Sequence, residues 1–443
     1  MTIQLRSGVI DLNGKTLSTV YVQNKNAGEN IILKNGTVNT LDGDANSATQ
    51  YSGAVIVQNM TVSNDIYTDG HPYEIFNTTV QGNIYTINNG TSAPGTVTIY
   101  SGNFNQLSVS HYSKNGEYYL RGGTYKENRT GEAKVHIDGY QVQTVTGGIS
   151  IVPQTEVASV TVTDSLTVPY ATIEHAVRAW EFVGTTDGAS TLKLLKDVET
   201  SSTITVPKDG ARTLDLNGYG IKANASDSNK FSVITVPSGA NLTLKDSRPE
   251  ATAHYFTVAD PATNGAGIAT IVDKSTYDSS NETKGTFTGG YITGGAATNG
   301  GGVNVASGGS FTMTGGTIIG NTAKAKGGGG VYSAGTFTMS NGTIEYNYAS
   351  MTGGSDNGLG GGVLIIDNTG VTDDFTMTGG TITGNKAYWH GGGMHIDNGA
   401  TFKMERGTIS NNTSGANGGG IALDAGASAS MSGDSFRRAH GDR

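Results

Sequence analysis

The sequence is marked first by what it lacks. It has no cysteine, so neither a disulfide framework nor thiolate chemistry is open to it. Only 8 prolines interrupt 443 residues. No stretch approaches the ~18 apolar residues of a membrane span, and the opening MTIQLRSG lacks the apolar segment of a secretory signal. Cations are scarce. The 28 Lys and Arg against 37 Asp and Glu leave a net charge of −9, with no basic run to meet phosphates, so nucleic acid is not an expected partner. Metal-binding spacings of the HExxH, EF-hand or Cys/His type are missing, so no dedicated metal ligands are expected. The glycine runs lack the GK[ST] element of a phosphate loop.

What is present is glycine, 67 residues of it, set among Thr, Ser, Asn, Val and Ile. At 35% hydrophobic the chain is too apolar for disorder, and its glycines have no collagen period. The last third repeats itself: FTMTGGTIIGN (311–321), FTMSNGTIEYN (337–347), FTMTGGTITGN (375–385) and FKMERGTISNN (402–412). Between these lie three glycines and an apolar residue, ending at Val303, Val331, Val363, Met394 and Ile421. The period is about 27 residues, stretched once by an insertion near residue 354. In FTMTGGTI the Phe, Met and late Ile share one parity, which is strand alternation. One copy cannot bury its apolar face alone, whereas stacked copies pair each strand with its equivalent. Asn321, Asn347, Asn385 and Asn412 recur at one register, where their amides can bond along a column and the backbone can turn left-handed.

These repeats resemble those of polymorphic membrane proteins and related bacterial adhesins, and the pectin-lyase-like superfamily more broadly. The likeness is good over residues 285–433 and looser elsewhere. It implies an all-β, right-handed parallel β-helix, a solenoid displayed on or secreted from a bacterial cell, and it transfers no catalytic site. Residues 171–433 are expected to form one such module, opened by an amphipathic capping helix near 171–183 with Ile173, Ala176, Val177 and Trp180 on one face. IDLNGKTL (10–17) matches LDLNGYGI (214–221), and NIILKNG (30–36) matches NLTLKDS (241–247). Residues 1–150 are therefore expected to be an earlier module without its cap, 151–170 a linker, and 434–443 a non-repeat tail. Met1 is expected to be an internal boundary, with signal and anchor outside this chain. The chain is expected to be monomeric.

Enzymes of this architecture set carboxylates from neighbouring coils into an outer groove. Stacked strands place equivalent residues ~4.8 Å apart, which suits a carboxylate pair or calcium, the one ion considered as a cofactor. GGGMHIDNG and GGGIALDAG fit best. With Met394 and Ile421 inward, His395 and Asp397 point outward and Asp424 falls beside Asp397, making these three the catalytic candidates. Tyr388, Trp389 and His390 precede the glycines, and Lys403 and Glu405 follow on the next strand, making these five the candidate ligand-binding residues. The competing account makes Asp397-Asn398-Gly399 a simple turn and the Lys403–Glu405 charges a solvated pair. The T-x-T pattern resembles ice-binding solenoids, but Lys403 and Glu405 break it. The expectation is a non-catalytic surface protein that binds glycan or a cell surface, or serves as a stalk. The alternative is a polysaccharide lyase or glycoside hydrolase working on the 390–424 face.

Overall fold

A computed structural model describes residues 2–23, 29–43, 53–86, 95–108, 116–183, 189–259, 268–277, 284–350, 357–367 and 374–432. The insertion near 354 and the tail at 434–443 lie outside the described residues. The chain divides into two units, Met1–Thr186 and Asp187–Arg443. It is all-β, and parallel sheets dominate both units. Among the described residues no helix is long and apolar enough to cross a membrane.

Between Val303 and Ser414 each repeat gives one short strand to each of four sheets, always in the same order. The copy beginning at Val303–Val305 continues through Ser310–Met313, Thr317–Ile319 and Thr322–Ala323 before the next copy starts at Val331–Ser333. Pairing is parallel and in register: Phe311, Phe337, Phe375 and Phe402 oppose one another, as do Met313, Met339, Met377 and Met404. The phenylalanine rings stack with centroids 5.0, 4.3 and 5.0 Å apart, inside the coil and away from water. The two 5.0 Å spacings lie within the ~4.5–7 Å range in which aromatic pairs attract and the middle pair is slightly closer, so the 27-residue period becomes a continuous apolar column.

The glycine triplets serve two separate needs. Gly328 has φ +69°, a left-handed turn that a side chain would strain. Gly330 has ordinary backbone but no room: a Cβ would stand 2.8 Å from the Gly362 oxygen and 3.0 Å from Asn347 Nδ2.

The asparagine column forms as expected, with one change. Each Asn Nδ2 donates to the Oδ1 of the Asn one coil on, at 3.0 Å in all three steps, and all four residues are buried. The left-handed position is instead the residue before: Gly320, Tyr346, Gly384 and Asn411 have φ between +47° and +66°. Tyr346 is the bulky exception. Its ring rests 5.0 Å from Phe256, in an apolar cluster with Tyr291 and Ile319. That cluster sits under an antiparallel strap of Ala253–Val258, Ala269–Val272 and Lys284–Thr288, built from what reads in sequence as a long loop.

The first unit also stacks parallel strands, Ile31 opposing Val55, Tyr73, Val97, Tyr118 and Val135 in succession. Its opening turn is the one that the sequence match implies. Asp11 Oδ1 accepts from Asn13 N and Asp215 Oδ1 from Asn217 N, with both asparagines left-handed. Even the flanking ion pairs correspond, Lys34 to Asp11 and Lys245 to Asp215. A second asparagine column runs here, Asn77 to Asn59 to Asn35, ending on Asp11. Residues 151–170 do not form a linker. They complete the hairpin of Tyr140–Val145 with Gly148–Pro153 and build another from Ala158–Thr163 and Leu166–Tyr170.

The helix spans Ile173–Phe182, N-capped by Thr172, whose hydroxyl accepts from His175 N. It belongs to the first unit. Arg178 forks onto Glu74 with contacts of 2.7 and 3.0 Å, and Phe182 packs on Phe76. Val177 is only half-buried, while Ala179 and Phe182 join the buried face.

Candidate functional site

The strand Met394–Ile396 lies between Val363–Ile365 and Ile421–Leu423, so His395 is flanked by Leu364 and Ala422. Met394 and Ile396 fill the core, which sends His395 to the outer side as its parity requires. The outer side is covered here, however. His395 is 1% exposed and Leu364 is fully buried, so the imidazole does not lie in an open groove. Among the described residues neither ring nitrogen makes a hydrogen bond. Nε2 stands 3.4 Å from Asp424 Oδ1.

Asp397 and Asp424 open the same turn in successive coils. Each carbonyl accepts the amide three residues on, Ala400 N and Ala427 N, both at 3.0 Å, with Gly399 and Gly426 left-handed. The turn account of Asp397 is therefore correct for its backbone, and its side chain does more. Oδ2 meets Lys326 Nζ at 2.7 Å, and Oδ1 accepts from Asn398 N. One donor atom each from His395, Asp397 and Asp424 gathers within 4.8 Å, a set that can hold a metal ion.

The electrostatics follow from burial. Desolvation holds the His395 imidazole below its usual value against the pull of Asp424 and Asp397, so the ring is neutral near pH 7. Burial pushes the Asp397 carboxyl up, but the Lys326 ammonium and the Asn398 amide outweigh it, and the carboxyl lies below its ordinary range.

Aromatic rings lead outward from this centre. The His390 ring lies nearly parallel to that of His395 at 6.3 Å, and Trp389 meets His390 edge-on at 5.3 Å. His390 Nδ1 accepts from Asn417 N. Tyr388 and Trp389 are 43% and 40% exposed, whereas Trp180 and the phenylalanine column are buried. Lys403 and Glu405 do not complete this cluster. The Thr401–Met404 strand lies in a different sheet, and the two side chains pair with each other at 2.9 Å, the bland outcome.

Sequence reasoning missed Lys326. It stands five residues before Val331, the place that Trp389 holds before Met394, which was the available signal. The chain matches no family model, no curated protein and no solved structure.

Proposed function

We propose that the chain winds as a right-handed parallel β-helix on or outside a bacterial cell and binds carbohydrate on the flank carrying Tyr388 and Trp389. The winding is supported by four parallel sheets fed in constant order, because parallel crossovers are right-handed in ~98% of cases. The binding reading is carried by one observation: two large aromatic side chains lie adjacent and exposed, whereas the other aromatic rings among the described residues are buried or half-buried. Tyr and Trp present an apolar face with a polar edge, the surface on which a pyranose ring stacks. Neighbouring His390, Asn417 and Asp424 supply hydrogen-bonding groups for sugar hydroxyls.

The burial of His395 favours binding over hydrolysis, since a general base must come within hydrogen-bond reach of its substrate. Asp397 is further committed to Lys326.

The test is affinity electrophoresis and tryptophan emission against plant, host and microbial polysaccharides. The chain has two tryptophans, and Trp180 is fully buried, so a ligand-induced change reports Trp389. Retention on at least one glycan, lost in Trp389→Ala, is the expected result. Retention untouched by Trp389→Ala and Tyr388→Ala together, or none on any glycan, refutes it and leaves a stalk. Release of reducing ends or unsaturated uronides, abolished in Asp397→Ala, replaces it with the enzyme.

A further inference from the structure

We propose that His395, Asp397 and Asp424 bind a divalent transition-metal ion of the zinc class, clamping two successive coils together. The carboxylates alone would not justify this, because aspartates at turns are commonplace. The histidine does. It is 1% exposed, neither of its nitrogens is hydrogen-bonded, and Nε2 is aimed into the carboxylate pair. A buried polar nitrogen left unpaired costs ~1–3 kcal/mol, a cost that an ion bound at Nε2 would relieve.

The spacing points to an ion as that partner. The 3.4 Å between Nε2 and Asp424 Oδ1 is longer than the ~2.7–3.2 Å of an N–H···O bond. Tetrahedral bonds of ~2.0–2.1 Å, as for zinc to nitrogen and oxygen, hold neighbouring ligand atoms about 3.3–3.4 Å apart. The Nε2–Oδ1 distance therefore matches one edge of such a tetrahedron.

Ligand chemistry selects the class. One imidazole nitrogen with two carboxylates suits zinc, cobalt or nickel, whereas calcium and magnesium take oxygen. Charge agrees in sign: two carboxylates less the Lys326 ammonium leave a net negative charge facing the cation. The supporting groups are in place as well. Lys326 and the Asn398 amide fix the Asp397 carboxylate, and the stacked His390 ring lies against the face of His395. Three protein ligands leave a fourth position for water.

The experiment is titration of the EDTA-stripped full chain with Zn²⁺ by calorimetry and with Co²⁺ by visible absorption. One equivalent is expected to bind, with cobalt d–d bands typical of four or five ligands and a raised Tm. Binding is expected to fall ~100-fold in Asp424→Asn and in His395→Gln, and to persist in Lys403→Gln, which lies in another sheet, and in tenfold excess Ca²⁺. Asp424 is 44% exposed, so its variant keeps the test valid if His395→Gln fails to fold. No binding by the wild type, undiminished binding in Asp424→Asn, or Ca²⁺ binding as tight as Zn²⁺ would each overturn the assignment. Glycan retention is measured separately, so the two proposals can fail independently.

Discussion

Removing one amide from the middle of the asparagine column tests how the coils are held together. Asn347 Oδ1 accepts from both the backbone N and the Nδ2 of Asn321, each at 3.0 Å. Its own Nδ2 donates to Ile318 O at 2.8 Å and to Asn385 Oδ1 at 3.0 Å. Asn347→Ala deletes all four bonds at a fully buried position and orphans the Asn321 amide, because the Asn321 side chain keeps Ile292 O and Ile319 O while its backbone N–H loses its acceptor. At ~0.5–1.5 kcal/mol for each of the four bonds, plus ~1–3 kcal/mol for an unpaired buried donor, the loss should be about 3–9 kcal/mol. Asn412 ends the column with three bonds, two accepted and one donated, and its loss likewise strands the Asn385 backbone N–H, so Asn412→Ala should cost less by about one bond, ~1 kcal/mol.

A repeat stack need not unfold in one step, so hydrogen exchange is the sharper readout than a single melting curve. In Asn347→Ala the Asn321 amide should lose most of its protection while amides of the first unit keep theirs. A cost below ~1 kcal/mol at both positions would mean that the Phe and Met columns carry the stack and the amides merely follow.

Two more outcomes follow from burial and crowding. Glu345 follows Ile319 in its ladder, beside the strap, and burial pushes its carboxyl up to about 7 from the ordinary 4.5. The folded chain thus keeps a proton that the unfolded chain releases between those values, so this group lowers stability as pH rises through that window, fully above pH 7. At about 1.4 kcal/mol per pH unit the penalty reaches at most ~3 kcal/mol, and Glu345→Gln should recover it at pH 8 with little change at pH 4. A pH-independent difference in urea midpoints would refute this. Gly330→Ala should cost about 2–3 kcal/mol because its Cβ meets neighbouring backbone. Gly239→Ala, left-handed but in open space, should cost about 1–2 kcal/mol from strain alone. Thermal melts showing the reverse order would refute the crowding account.

The second unit was legible because stacking places each residue against its own equivalent, so a period in sequence becomes a column in space. FTM at 311–313, 337–339 and 375–377 already implied the ring and thioether columns, and the recurrent asparagines implied theirs. The first unit hides the same device, since Asn35, Asn59 and Asn77 are spaced by 24 and then 18 residues, too irregular to show as a period. Position within the turn was misjudged by one, because Gly320, Gly384 and Asn411 carry the left-handed backbone and free the next asparagine for bonding. The hairpin at 158–170 reads in sequence as a linker because its Thr- and Ser-rich alternation follows a Pro-Gln-Thr break. Only pairing across the turn reveals it.

The site is harder to read for a reason that lies in the ladder itself. Inward positions of one sheet run Val303, Val331, Val363, Met394 and Ile421, nearly uniform because the core allows only apolar side chains of similar bulk. The outward neighbours run Asn304, Tyr332, Leu364, His395 and Ala422, with no common chemistry, because stacking places no demand on them. Chemistry can therefore be written at these outward positions without cost to the stack, and it shows in sequence as a departure from the repeat. Parity places such a residue outside the core, but it does not say what lies over it. His395 is outward by parity yet buried, and Lys326 reaches Asp397 from 71 residues away, past the intervening Val363 rung. Outer-face cover and contacts between non-adjacent coils come from loops and long side chains that obey no period, so the residues of the cluster could be named from sequence while their environment could not.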